Sequence, residues 1–76
     1  MVTAYIMVKA NTGQADRLLE EVEAIQGVEE AHIVAGDVDL IVKAAVEGPE
    51  DVKEIAANHI QRIDGVEDTE TYLAMD

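Results

Sequence analysis

The chain repeats itself, and the repeat limits what it can fold into more than any other feature. Ile6-Met7-Val8-Lys9-Ala10 is echoed by Leu40-Ile41-Val42-Lys43-Ala44. Ile25-Gln26-Gly27-Val28-Glu29-Glu30 is echoed by Ile63-Asp64-Gly65-Val66-Glu67-Asp68. Each half opens on a strand pattern. From Val2 to Lys9, Val2, Ala4, Ile6 and Val8 share one face while Thr3, Tyr5, Met7 and Lys9 share the other. Asn11-Thr12-Gly13 breaks that pattern with loop and N-cap chemistry. Helical spacing follows from Gln14 to about Gln26, where Ala15, Leu18, Leu19, Val22 and Ile25 make one stripe and Gly27 takes the C′ position. Val28 to Ala35 reads as a second strand, Gly36-Asp37 as a hairpin signal in reversed order, and Asp39 to Val46 as a third strand. Pro49 suits the first turn of a second helix, with Glu50 and Asp51 at its N-terminal dipole. Val52, Ile55, Ala56, His59, Ile60 and Ile63 form its stripe, Asp64-Gly65 stops it, and Val66 to Met75 reads as a fourth strand.

A doubled β-α-β unit joined by a hairpin is the split βαβ, ferredoxin-like arrangement, βαββαβ. The expected α+β fold is a four-stranded antiparallel sheet with two helices on one face. At 76 residues it is a single domain, 1–76, with a thin core. The other face of the sheet does not alternate cleanly as a wet face should. Tyr5 and Met7 point away from the helices, and Leu40 and Val42 oppose an equally apolar Ile41. Bare apolar sheet of this kind exceeds what soluble monomers expose, so the sequence predicts a homodimer joined sheet to sheet through Tyr5 and Met7.

Charge excludes several function classes. Seventeen Asp and Glu stand against five Lys and Arg, a formal net charge of −12. Lys9, Arg17, Lys43, Lys53 and Arg62 are scattered singly, which argues against direct contact with nucleic acid or with an anionic membrane. The acids avoid the apolar stripes and Lys is rare, a pattern that reads as adaptation to molar salt, where self-repulsion is quenched. There is no cysteine, hence no disulfide, thiolate metal site or Cys nucleophile. No apolar run is long enough to span a bilayer and no signal segment opens the chain, so the expected location is the cytoplasm. His32 and His59 form no i,i+4 pair, so no metal is expected, and neither the helix stripes nor Thr12-Gly13 suggests another cofactor. His59 reads as packed within its apolar stripe, and His32 as facing the subunit interface.

The run from Val28 to Lys43, with Gly36-Asp37-Val38-Asp39 leading into an apolar strand, resembles the effector-sensing (RAM) domain of Lrp/AsnC transcriptional regulators. Gly27-Val28, Gly65-Val66 and Thr69-x-Thr71 fit the same pattern, and the resemblance covers Val2 to Ala74. It implies dimers that assemble further and a small effector, usually an amino acid, held near the Gly-x-x-Asp turn where dimers meet. It also implies a stand-alone effector domain without the helix-turn-helix, reaching DNA through co-assembly with a full-length DNA-binding relative. The ligand-binding residues it implies are Ala35, Gly36, Val38, Asp39, Thr69 and Thr71, with no catalytic residue. Ala35 and Val38 depart from the family's usual hydroxyl and aromatic residues at those positions.

The residues themselves leave this site open. A turn on Gly36 allows close ligand approach, and Asp39 can accept an ammonium group. Equally, Gly36 can supply a positive φ while Asp37 and Asp39 bond within the hairpin. Thr69 and Thr71 suit a ligand or simply a strand. Two other functions compete: an oligomeric scaffold for full-length regulators with no ligand of its own, and a small dimeric α+β barrel enzyme. The enzyme is disfavoured, since His32, His59, Tyr5 and carboxylates are the acids and bases available and no nucleophile–base pairing stands out.

Overall fold

The computed structural model describes all 76 residues. Its elements run β1 (Val2–Ala10), α1 (Ala15–Glu23), β2 (Val28–Ile33), β3 (Leu40–Val46), α2 (Pro49–Lys53) continuing into a π-helical segment (Glu54–Ile60), and β4 (Val66–Leu73). The sheet order is β2-β3-β1-β4 with every neighbour antiparallel. This is the ferredoxin-like α+β arrangement that the repeat predicts.

The strand periodicity works as expected. Ala4, Ile6 and Val8 on β1 and Leu40, Val42 and Ala44 on β3 are fully buried under the helices. Leu18 and Val22 of α1 close over them, joined by Val52, Ile55, Ala56 and Ile60 from the second helix. Burying a side chain of this size is worth about 1.5–3 kcal/mol, and no buried residue is polar or charged. Pro49 stands at the start of α2, where the Gly48 N–H donates to Asp51 Oδ2 at 3.1 Å.

Four local readings need correction. First, α1 ends at Glu23, before Gln26. Gly27 is therefore not its C′ residue; it sits in a tight turn closed by Val28 N–H to Ile25 C=O at 3.2 Å, with φ +100. Ile25 leaves the helix so that its side chain can drop, half-buried, against the core. Second, α1 has no side-chain cap; its N-cap is Gln14, anchored by backbone to Asn11 C=O at 3.1 Å. Third, Gly36-Asp37 is not a two-residue hairpin. Strand β2 stops at Ile33, and a six-residue connection, 34–39, is closed by Val34 N–H to Asp39 C=O at 2.9 Å. Gly36 has no positive φ, so the reversed Gly-Asp order imposes no mirror-image turn. Fourth, the wider i→i+5 turns of the π segment, seen in Gln61 N–H to Ala56 C=O at 3.0 Å, rotate His59 out of the stripe. Its side chain is 52% exposed.

Candidate functional site

The register assigns the predicted site residues that lie on strands to a face. Tyr5 lies opposite Lys43 and Tyr72, and Met7 opposite Ile41 and Glu70. His32 lies opposite Ile41. These residues share the face that no helix covers. Its centre is apolar, with Tyr5 and Tyr72 among the exposed large hydrophobic residues of the chain. Tyr72 is not singled out by the sequence pattern, although it alternates with Thr71 and so has to share a face with Tyr5's row. Its hydroxyl donates to Glu70 Oε1. That bond, and then the negative charge of the carboxylate, push the Tyr72 hydroxyl above its ordinary value of 10.0.

Val38 and Asp39 arrive at the end of this face through the 34–39 connection. Asp39 N–H donates to Val8 C=O at 2.9 Å, and Asp39 Oδ2 accepts from Ala10 N–H at 2.7 Å. The carboxylate thus ties the connection to the end of β1, at the point where the β1–β4 register shifts between Lys9 and Ala10. It does not bond within its own hairpin. Val38 lines a shallow hollow of about 150 Å³ with Met7, Lys9, Asp68, Thr69 and Glu70. One wall is apolar, and the other presents one ammonium and two carboxylates. Lys9, Asp68 and Glu70 are not marked out by sequence; only the cross-strand pairing of Lys9 with Asp68 reveals them.

The remaining predicted residues separate. Thr69 and Thr71 pair with Val8 and Ile6 and so lie on the helix side of β4. Thr69 Oγ1 accepts from Gln61 Nε2 at 2.7 Å, which fastens β4 to the end of the second helix. Thr71 borders a different hollow, with Val52, Ala56 and Leu73. Ala35 and Gly36 are exposed at the crest of the connection, and a Cβ added to Gly36 meets nothing within 4 Å. Within one chain, then, Val38 and Thr69 border one hollow although the Thr69 hydroxyl is engaged on the helix side, Asp39 is tied to Ala10, and Ala35, Gly36 and Thr71 stand apart. No group of His, Asp and Glu is arranged to hold a metal ion. No helix is long and apolar enough to cross a membrane.

Known proteins are similar to this chain in sequence and in fold. An uncharacterised HTH-type transcriptional regulator of Pyrococcus abyssi is 34% identical over 77 residues, covering 97% of this chain and 51% of its own length. The leucine-responsive regulatory protein of Haemophilus influenzae is 31% identical over 55 residues, covering 72% of this chain and 33% of its own. The chain thus spans about half or less of the curated regulators it matches. A solved protein from Thermus thermophilus superposes with a TM-score of 0.96 at 28% identity, covering 100% of this chain and 95% of that one. A family model described as the Lrp/AsnC ligand binding domain matches residues 3–76. With its topology, its Gly36-to-Asp39 connection and a family match over residues 3–76, the chain belongs to the Lrp/AsnC ligand-binding-domain family.

Proposed function

We propose that the chain is one regulatory domain, 1–76, that senses a free α-amino acid and acts through assembly, without catalysis of its own. The observation that carries this reading is the hollow bounded by Val38, Met7, Lys9, Asp68, Thr69 and Glu70. An α-amino acid presents a carboxylate, an ammonium and a side chain. Lys9 complements the first, Asp68 and Glu70 the second, and Met7 with Val38 the third. The hollow is shallow, so a second copy must complete it. The sheet face that carries Tyr5, Met7, Ile41 and Tyr72 provides the surface for a homodimer, and the exposed crest at Ala35 and Gly36 the surface for further assembly. A ligand held between copies then stabilises the assembly that forms its site. The printed name of the Haemophilus relative, a leucine-responsive regulator, supports an amino acid as the effector class. Regulation of DNA follows by co-assembly with a DNA-binding relative, since the five basic residues form no cluster. Solution in the cytoplasm and tolerance of molar salt complete the reading.

The test is sedimentation velocity in KCl, with and without each of the twenty amino acids, combined with thermal unfolding. One or a few amino acids should enlarge the assembly and raise the midpoint, and Lys9→Ala should abolish both effects. A larger species with no response to any amino acid would favour the ligand-free scaffold. That outcome is compatible with Asp39 being engaged by Ala10.

A further inference from the structure

Glu70 stands where the effector hollow meets the open face of the sheet. On β4, Asp68, Glu70 and Tyr72 alternate onto that face, opposite Lys9, Met7 and Tyr5 of β1. The hollow takes in the first two of these cross-strand pairs and stops short of the third. The Tyr5–Tyr72 pair, next along the strands, belongs to the surface offered to a second copy, with Tyr5 38% and Tyr72 52% exposed. One polar side-chain contact crosses from hollow to face: the Tyr72 hydroxyl donates to Glu70 Oε1.

The polar groups of the hollow are unequally free. Lys9 forms no ion pair, so its ammonium is open to a carboxylate. Asp68 Oδ1 is taken by the Thr69 N–H at 2.9 Å, and Glu70 by the phenol. An incoming ammonium therefore meets, in Glu70, a carboxylate that already has a donor. A cation there offsets the charge that makes the phenol bond strong. The phenol, in turn, satisfies part of the carboxylate that the cation needs. Each weakens the other, and by linkage the factor is the same in both directions.

We propose that Glu70 is a two-position switch, holding the Tyr72 hydroxyl while the hollow is empty and the effector's ammonium once it is filled. The switch rests on the effector reading of the hollow and adds how occupancy is passed to the sheet face. Held by Glu70, the Tyr72 ring is drawn along β4 towards the acids. Released, it is free to lie beside Tyr5 and against a second sheet, its apolar body buried and its hydroxyl in water. Tyr72 is exposed, so water replaces Glu70 as partner of that hydroxyl at little cost.

Filling the hollow thus adds an aromatic surface to the dimer face with no movement of the backbone. Tyr72 borders the hollow without lining it, and so acts as a positioning residue. It sets how much effector is needed, because the effector has to compete with its hydroxyl for Glu70. Specificity follows from the same competition. A carboxylate with the right side chain but no ammonium satisfies Lys9, Met7 and Val38 and leaves Tyr72 where it is.

The experiment begins with thermal unfolding against each of the twenty amino acids, in KCl near neutral pH. The one that raises the midpoint most is carried forward with its α-hydroxy acid, which lacks the ammonium. Tyr72→Phe removes the hydroxyl and keeps the ring. It should bind the amino acid about two- to fivefold more tightly, as an exposed charged contact is worth, and assemble at correspondingly lower concentrations of it. The chain has no tryptophan, so Tyr5→Phe leaves Tyr72 as its sole strong fluorophore. A phenol bonded to a carboxylate emits weakly; emission should rise with the amino acid and stay low with the hydroxy acid. Glu70→Gln should be bright from the start and rise no further. Tyr5, Glu70 and Tyr72 are all exposed, so the fold is not at risk. Silence across all twenty amino acids would remove the effector reading and the switch together. Equal affinity in Tyr72→Phe and the parent, or Tyr72 emission that ignores a bound amino acid, would remove the switch alone.

Discussion

Asp39 is the residue on which a structural and a ligand-binding role are most easily confused, and its removal separates them. Its Oδ2 accepts the Ala10 N–H at 2.7 Å, the length of a charge-assisted bond. In Asp39→Ala that N–H loses its acceptor, which costs about 1–3 kcal/mol. Ala10 is half-buried, so water reaches part of the group and the lower half of the range, about 1–2 kcal/mol, applies. A domain of this length is stable by only about 4–11 kcal/mol. Since 1 kcal/mol moves the midpoint of so small a domain by about 4–8 °C, the melt should fall by about 4–16 °C. Asp39→Asn keeps an acceptor oxygen without the charge and should lose about half as much. The assay is circular dichroism at fixed protein concentration and fixed KCl, since any assembly makes the midpoint concentration-dependent. Hydrogen exchange at the Ala10 amide gives the local readout, with protection lost in the Ala variant and largely kept in Asn. An unchanged melt in Asp39→Ala, or Asn falling as far as Ala, would refute the tether. The second outcome would mean that the charge acts on something other than Ala10.

The two kinds of glycine should part company under substitution. Gly36→Ala should be neutral or stabilise by about 0.4–1 kcal/mol in unfolding, because its φ is ordinary and its Cβ meets nothing, yet weaken higher assembly seen in sedimentation. Gly27→Ala should destabilise by at least about 1 kcal/mol in the same melt, since its φ is +100 and its Cβ would lie 2.8 Å from Ile55 Cδ1. Tyr72 binds its proton more tightly folded than unfolded, so its contribution to stability is complete below pH 10.0 and is lost as pH rises through the raised folded value. In Glu70→Gln, phenolate absorbance should therefore appear at lower pH than in the parent, and an unchanged titration would remove the Glu70 contact as its cause. Only Arg17 and Lys43 among the basic residues pair with carboxylates, so most of the seventeen acids repel one another without relief. Raising KCl from about 0.1 to about 2 M should raise the melting midpoint; a flat or falling response would contradict self-repulsion as the dominant surface term.

The strands and the buried face were legible because a period of two leaves no choice: once Ile6 is inside, Ala4 and Val8 are inside, and Tyr5 and Met7 are not. The helices were legible in place but not in pitch. Nothing in Glu54–Ile60 announces i→i+5 bonding, and His59 looks buried only under an α-helical period. The candidate site was legible in part. Val38 and Asp39 could be singled out from their run of sequence, but the partners of Val38 in its hollow come from β1 and β4. Their proximity depends on register, including the shift between Lys9 and Ala10, which no local pattern encodes. Gly36 misleads for the opposite reason: its identity suggests a backbone need that the 34–39 connection does not have.

The ring closed by Val34 N–H and Asp39 C=O has a consequence for how such a domain can change over time. Its two ends are bonded to each other and, through Asp39, to β1, while Ala35, Gly36 and Asp37 ride outside, exposed and free of core contacts. Those three positions can be exchanged, or lengthened, at little thermodynamic risk to the sheet beneath. Innovation in what the crest meets is thereby uncoupled from survival of the fold. A laboratory library confined to residues 35–37 should return a high fraction of folded variants with diverse surface chemistry.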